Sequence, residues 1–480
     1  MLIKYFQLVL LSIVISLISN PIFAQKTYSL EECVQIALQN NIQTKQQNLQ
    51  TESAKIDVNQ SKFSALPNLN AQANNNWQTG FNINPRTNTP ENLSFTTNSF
   101  GASSSMTLFN GFQNSNTIRL RESDYLASKN DLENAKNNLK LNVANTYLRV
   151  LLQTEIYEAA NNQVNTTKVQ LERQQKLFDL GGVNKSRLLQ LKAQLANEEL
   201  NLITQNNLLL SNYLDLWQLI DLVPDSANKI VKIDLNKILI EDELRSPLAI
   251  YTDFEKQSPD VLAVKNRKRS SDLQRYIALG ARSPRLSING SLSSFYTTLG
   301  TTLTNFQTIN NPQIGYYLNG TTQVPVYSLV SQTFPTSSEM TPFASQFRNN
   351  FGTSIGLTLS MPVFNGYNVN SNIQRATIQM EVASLNEKQT QLNLFKSINS
   401  AYLNFKNAQL RHNASIVSLD ANKESLDISE KQYELGGLSL TDYLVSKNNF
   451  IKAQTDYYQA KYELVFRKKV LDFYSGKPIN

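Results

Sequence analysis

The sequence predicts a mixed α and β membrane protein built from two tandem repeats, each running helix, two strands, long helix, tip and shorter helix. Three observations carry that expectation. Motifs recur at one offset of 255 residues: "LFNGF" (Leu108–Phe112) returns as "VFNGY" (Val363–Tyr367), Tyr147-Leu148 as Tyr402-Leu403, and Gly181-Gly182 as Gly436-Gly437. Chance pairs would drift in spacing, so the constant offset marks a duplication. The segments before each "FNG" alternate apolar and polar residues, the pattern of strands with two unlike faces. The stretches after each "FNG", from about Asn114 to Phe178 and from about Asn370 to Tyr433, contain neither proline nor glycine.

The elements follow in order. Residues 1–24 form a secretory signal: Lys4, the apolar run Leu8–Ile18, and a small residue, Ala24, before the expected cleavage. The first repeat spans 25–218. Its opening helix starts at Ser29, with Glu32 three residues on as a capping box, and runs to about Ser64 before Pro67 stops it. Leu69, Ala71, Ala73, Trp77 and Phe81 then share one strand face, with Asn70, Gln72, Asn74, Asn76, Gln78 and Asn82 on the other. In the next strand Phe100, Ala102, Met106 and Leu108 oppose Gly101, Ser103, Ser105 and Thr107. The long helix carries Leu132, Ala135, Leu139, Val143, Tyr147 and Val150 at three- and four-residue steps. A glycine tip and a helix from about Lys185 to Gln218 complete the repeat.

Residues 219–250 read as an irregular linker at mid-height, and 251–480 as the second repeat. There Phe351, Ile355, Leu357, Leu359, Met361 and Val363 oppose Gly352, Ser354, Gly356, Thr358 and Ser360. "SALPNL" around Pro67 matches "ARSPRL" around Pro284 at an offset of only 217, so the second copy has gained 38 residues before its "FNG". Their Pro, Gly, Ser and Thr content predicts a long external loop at about 300–348.

At 1.5 Å per residue, each long helix spans about 100 Å, more than a globular core needs. The polar strand faces carry almost no charge and no catalytic residues. Four strands cannot close a barrel, and bacterial membrane barrels use even numbers from eight upward. Two copies would supply eight strands around an interior filled by side chains; three would supply twelve around a wet lumen. The wet lumen suits the small polar faces and favours three copies in a closed cyclic ring, with two left open.

The order "SLEECVQIALQNN", "SALPNL", "LFNGF", a long helix to "LGG", and the duplicated second half resembles the TolC-like outer-membrane efflux proteins over essentially the whole mature chain. The resemblance implies a homotrimer with a twelve-stranded barrel in the outer membrane of a Gram-negative bacterium. It also implies an α-helical tunnel through the periplasm and tips that dock to a periplasmic adaptor protein and an inner-membrane transporter. Such a chain is a passive channel-tunnel exporting solutes, gated at its tips, with no enzyme activity, cofactor or metal. Gly181, Gly182, Gly436 and Gly437 would end each helix in a left-handed turn and serve adaptor docking. Asp442 occupies the position of the family's carboxylate ring at the entrance. Val445 stands where a second acid is common, and Arg187 where the best-known member carries an acid. Arg187 and Asp442 are therefore expected to pair as a pore gate.

Other classes fare worse. His412 is the single histidine and Cys33 the single cysteine, so the usual zinc donor sets cannot form within one chain, nor can a disulfide. "SLEEC" lacks the small residues that precede a lipidated cysteine, which makes Cys33 a packed helix residue. The formal charge of +7 is spread among interleaved acids, not gathered into a nucleic-acid surface. An exported coiled-coil surface or adhesion protein would explain the helices, but neither the alternating strands nor the doubled tip.

Overall fold

A computed structural model describes residues 27–84, 89–223, 228–233 and 245–477. The expected signal (1–24) and much of the linker (224–227 and 234–244) lie outside the described residues. The chain divides into a helical unit, from Met1–Ile56, Glu122–Ser270 and Met380–Asn480, and a sheet unit, Asp57–Arg121 with Ser271–Gln379. No helix among the described residues is long and apolar enough to cross a membrane.

In the helical unit α1 (Leu30–Asn40) begins on the expected box. Ser29 Oγ accepts the Glu32 N–H at 3.2 Å, and the Glu32 carboxylate accepts the Ser29 N–H at 2.7 Å. The helix does not run on to Ser64. It breaks at Asn41 (ψ 126°), and α2 (Ile42–Phe63) begins anew. The side chain of Asn41 does this: its Oδ1 accepts the Thr44 N–H and its amide donates to the Leu219 carbonyl, both at 3.2 Å. Asparagine favours this capping role over a helix interior.

The long helices α3 (Gln113–Asp179) and α8 (Asn368–Glu434) each have 67 residues, and the returning helices α4 (Lys185–Leu219) and α9 (Leu440–Tyr474) each have 35. Two apolar cores hold them. The first joins Cys33 and Ala37 of α1 to Val143, Tyr147 and Val150 of α3, with Leu216, Trp217 and Ile220. The Tyr147 hydroxyl donates to the Val231 carbonyl at 2.6 Å, beside a two-residue parallel pairing of β1 (Thr27–Tyr28) with β4 (Lys229–Ile230). That pairing ties the linker to the start of the chain. The second core sets Ile250, Phe254 and Val261, from α5 (Pro247–Phe254) and α6 (Pro259–Gly280), against Leu394, Ile398 and Phe405 of α8 and Leu464 and Leu471 of α9. Each fully buried aliphatic side chain here is worth about 1.5–3 kcal/mol.

Cys33 has no exposed surface, and burial with the nearby Glu32 charge pushes its thiol up to about 12. Only the thiolate reacts, and it is scarce below that pH. The folded protein should therefore resist alkylation at pH 8, with stoichiometric labelling only after denaturation; rapid native labelling, followed by mass spectrometry, would contradict this packing.

The sheet unit holds one antiparallel four-stranded sheet in the order β10-β5-β3-β2, from β2 (Asn70–Asn84), β3 (Thr89–Phe109), β5 (Arg285–Thr297) and β10 (Gly352–Ser360). The register aligns Asn70, Ser103, Ser291 and Ser354 across all four strands, with Ser105, Asn289 and Gly356 in the next row of that face. The other face carries Ala71, Ala102 and Leu292, then Met106, Ile288 and Leu357. Alternation thus produces one small polar face and one apolar face. Strict alternation fails at the end of β3: a register shift puts Phe109, not Leu108, opposite Leu286. Such a bulge kinks a strand at its end. Phe351, Met361 and Val363, expected within the last strand, flank it instead.

The 38 additional residues are not an irregular loop. β6 (Thr301–Ile309) pairs with β9 (Gln332–Met340), and nested between them β7 (Gln313–Asn319) pairs with β8 (Thr322–Tyr327). Asn319-Gly320, with Gly320 at φ +68°, makes the tight turn, and Thr, Tyr and Val favour the extended chain. Composition was misleading because Thr counts toward both loop and strand. A short helix α7 (Phe343–Asn349) then sets Phe343 and Phe347 against Phe100, ring centres 6.1 and 5.6 Å away.

Both "FNG" motifs turn strand into helix through consecutive left-handed residues: Gly111 and Phe112 (φ +65° and +62°), Gly366 and Tyr367 (φ +60° and +66°).

Candidate functional site

The two glycine tips belong to the helical unit, and their geometry is nearly the same. At the first, the Gly181 N–H donates to the Phe178 carbonyl and the Gly182 N–H to the Leu177 carbonyl, at 2.9 and 2.8 Å. At the second, Gly436 donates to Tyr433 and Gly437 to Gln432, at 3.1 and 2.8 Å. Both are Schellman closures, which satisfy the last helical carbonyls. Each helix ends in a left-handed turn made by the first glycine of the pair, Gly181 at φ +76° and Gly436 at φ +79°, while Gly182 and Gly437 are not left-handed. At Gly182 a Cβ would instead stand 3.3 Å from the Leu177 carbonyl oxygen, a tight fit.

The next helix starts at once on a side-chain cap. Asn184 Oδ1 accepts the Arg187 N–H at 2.9 Å. Ser439 Oγ accepts the Asp442 N–H at 3.2 Å and donates to the Asp442 carboxylate at 2.7 Å. Asp442 is therefore both part of a cap and an acid in a first helical turn, where the helix dipole favours negative charge. Its side chain is exposed, as is that of Val445.

Arg187 and Asp442 are not joined by any ion pair among the described residues of one chain. The Arg187 guanidinium lies over the Tyr433 ring, 4.5 Å from its centre, and Tyr433 stacks on Tyr443 at 5.0 Å with ring planes 11° apart. The Tyr443 hydroxyl accepts from Gln170 Nε2 at 2.7 Å, and Arg173 pairs with Glu434 at 2.7 Å. The Tyr433–Tyr443 stack lies within the second hairpin (α8 and α9), and the other three contacts join that hairpin to the first (α3 and α4).

Deeper in, Lys447 of α9 is 3 % exposed. Its ammonium donates to Thr167 Oγ1 of α3 at 2.7 Å and lies 3.4 Å from the Glu198 carboxylate of α4. Glu198 also accepts from Gln163 at 2.9 Å, Gln194 at 2.8 Å and the Thr167 hydroxyl. Burial lowers the Lys447 pKa, and the Glu198 and Glu430 charges oppose that shift. Sequence reasoning missed this cluster, although a signal was present. Lys447 continues the buried stripe Leu440, Tyr443 at helical spacing, and Glu198 the stripe Leu188, Leu191, so each is a charge at a core position. His412 is half-buried against Tyr457, ring centres 5.8 Å apart. No group of three or more potential metal ligands occurs among the described residues.

A family model described as "Outer membrane efflux protein" matches residues 33–221 and 250–477. Solved structures are similar over almost the whole chain. CusC is 15 % identical with a TM-score of 0.74, covering 94 % of this chain and 92 % of its own. The CmeC outer membrane channel of Campylobacter jejuni is 19 % identical with a TM-score of 0.73, covering 93 % and 85 %. The outer membrane protein VceC of Vibrio cholerae is 16 % identical with a TM-score of 0.71, covering 94 % and 97 %. No curated protein matches the chain.

Proposed function

The chain belongs to the outer membrane efflux protein family, whose members are passive channels and not enzymes, and on that premise we propose that three copies form one gated export duct. The four-stranded sheet carries this reading. Its outer strands β2 and β10 have no partner beyond them among the described residues, one face is mainly apolar, and the other is mainly Asn, Gln, Ser, Thr and Gly. An open, two-faced sheet of this kind is one third of a twelve-stranded barrel, lipid outside and water inside. The nested hairpins between β5 and β10 would lie on the external side.

The helices support the same number of copies. Ile42, Leu49 and Ile56 of α2 are exposed at steps of seven, as are Leu385 and Leu392, then Leu403, Leu410 and Val417, on α8. Apolar residues at heptad spacing want a partner helix, and a neighbouring copy supplies one. The repeats (25–218 and 251–480) would then give a pseudo-sixfold helical tunnel across the periplasm, with 219–250 as its belt. The tips at Gly181-Gly182 and Gly436-Gly437 would meet a periplasmic adaptor and, through it, an inner-membrane transporter whose work drives export.

The gate follows from the tips. Within one chain Arg187 is engaged by Tyr433 and Asp442 by Ser439, so a pairing of Arg187 with Asp442 would be made between neighbouring copies. Three Asp442 carboxylates about one axis would attract cations to the entrance. In planar bilayers the purified protein should conduct as a trimer, Asp442→Arg should weaken its cation preference, and Arg187→Asp should raise its opening frequency. A water-soluble monomer without conductance would sink the channel. Wild-type selectivity and opening in both variants would sink the gate alone.

A further inference from the structure

One pair of repeat positions in the sheet unit differs in charge. Asn68 follows Pro67 in the first repeat, and Arg285 follows Pro284 in the second. Both side chains hold the end of β3. Asn68 Oδ1 accepts the Ser105 N–H at 2.7 Å and the Ser105 hydroxyl at 3.0 Å, while the Arg285 guanidinium donates to the Thr107 hydroxyl at 3.1 Å. Arg285 opens β5 just after α6, opposite Ser360 at the close of β10, so it stands at the end of the sheet from which the helices continue. Register puts it on the face of Ser287, Asn289 and Ser291. The four strands contain one other charged residue, Glu91, which lies in the β2–β3 hairpin beyond the reach of β5 and accepts from the Asn84 amide. Arg285 is exposed, and no carboxylate pairs with it among the described residues. It is a lone cation on a face of small neutral groups.

We propose that Arg285 sets the ionic specificity of the duct: three copies make a cationic ring in the barrel lumen at its helix end, which draws in and holds anionic solutes bearing carboxylate or phosphate groups. The inference rests on the three-copy duct proposed above and goes beyond it, because the charge offered at Asp442 has the opposite sign. A guanidinium suits both anions, presenting paired N–H donors to two oxygens at once. Rings of arginine or lysine serve pores for anions and phosphate, as rings of acids serve pores for cations. The low-dielectric wall of a barrel concentrates the field of such a ring in its lumen. Thr107 steadies the side chain without cancelling its charge.

The test uses the full-length trimer in planar bilayers, with tripolyphosphate added on the barrel side as the probe. In about 0.1 M salt, where screening acts over about 10 Å, it should block the wild-type current. The block should fade in about 1 M salt, where that length falls to about 3 Å. Arg285→Asn gives the second repeat the residue that the first already carries there. It should weaken the block by about tenfold or more and shift the reversal potential in a potassium chloride gradient toward cation preference. Arg285→Lys should keep the block, because it keeps the charge. Equal block in wild type and Arg285→Asn, with the same reversal potential, would overturn the ring. Should Arg285→Asn fail to assemble, the wild type decides: a current indifferent to tripolyphosphate at low salt would overturn the proposal. A protein that never conducts sinks the duct and this inference with it, whereas a conducting one indifferent to Arg285 sinks this inference alone.

Discussion

Glu198→Leu is expected to lower the stability of the helical unit by about 3–5 kcal/mol, whereas Glu198→Leu with Lys447→Met should cost far less. The single change removes the carboxylate paired with the Lys447 ammonium and leaves it buried between α3, α4 and α9 with the Thr167 hydroxyl and the Glu430 charge. The double change removes both charges and keeps comparable volume, so the desolvation penalty disappears along with the attraction. Thermal melting of the helical signal in detergent measures both, and a double-mutant cycle isolates the coupling. Similar losses in the single and double variants would mean that the helices need the pair for something other than neutralising its charges. The pH dependence has a defined sign. Burial depresses the folded-state pKa of Lys447 below its ordinary 10.5, so above that depressed value the unfolded chain binds more protons than the folded one. Stability from this group therefore rises with pH from the depressed value up to 10.5. Without Glu198 the depression deepens, so the Glu198→Leu defect should shrink on going from pH 7 to pH 10. A defect that is flat or grows over that range would exclude a charged Lys447 as its cause.

The second large effect is expected at Gly111. A Cβ there would lie 2.4 Å from the Gly280 carbonyl oxygen, and a Cβ on Gly280 would lie 2.4 Å from the Gly111 carbonyl oxygen. These are backbone atoms and cannot swing aside. Gly111→Ala adds the strain of a left-handed alanine, about 1–2 kcal/mol, to an overpacking cost of about 1–3 kcal/mol. It should force apart the junction between β3 and α3 and cut the yield of folded, membrane-inserted protein severalfold, read by detergent extraction and heat-resistant migration on gels. Gly366 makes an informative contrast. It has the same backbone conformation (φ +60°) but no neighbour within 4 Å among the described residues of its own chain, so Gly366→Ala should show the strain alone. A defect as large as that of Gly111→Ala would place a neighbouring copy against Gly366, which is the contact a closed ring would make. Wild-type yield for Gly111→Ala would refute the close backbone approach.

Much of the architecture was legible because it depends on local terms. Pattern period separated strand from helix, the absence of proline and glycine gave the 67-residue helices their extent, and Ser29 with Glu32 marked a helix start that the hydrogen bonds confirm. The misreadings share a cause as well. Asn41 breaks the opening helix because the carbonyl of Leu219, distant in sequence, takes its amide. The inserted residues form nested hairpins because cross-strand partners can satisfy a backbone whose composition alone favoured a loop. The doubled glycine announced both tips, yet only backbone geometry distinguishes Gly181 and Gly436, which need φ above zero, from Gly182 and Gly437, which do not.

The sequence by itself therefore determined the element order, the two-faced strands and the places where each helix must turn. These follow from bonding and solvation within a few residues of each position. Partner choice was decided by the tertiary structure alone. It laid Arg187 on Tyr433 instead of against Asp442 within the chain, and it brought Lys447 to Glu198 and Thr167 across hundreds of residues of sequence. The physical reason is that a charge's partner is fixed by which helices pack side by side. That packing is set by the summed burial of many apolar side chains, to which any one charged residue contributes almost nothing.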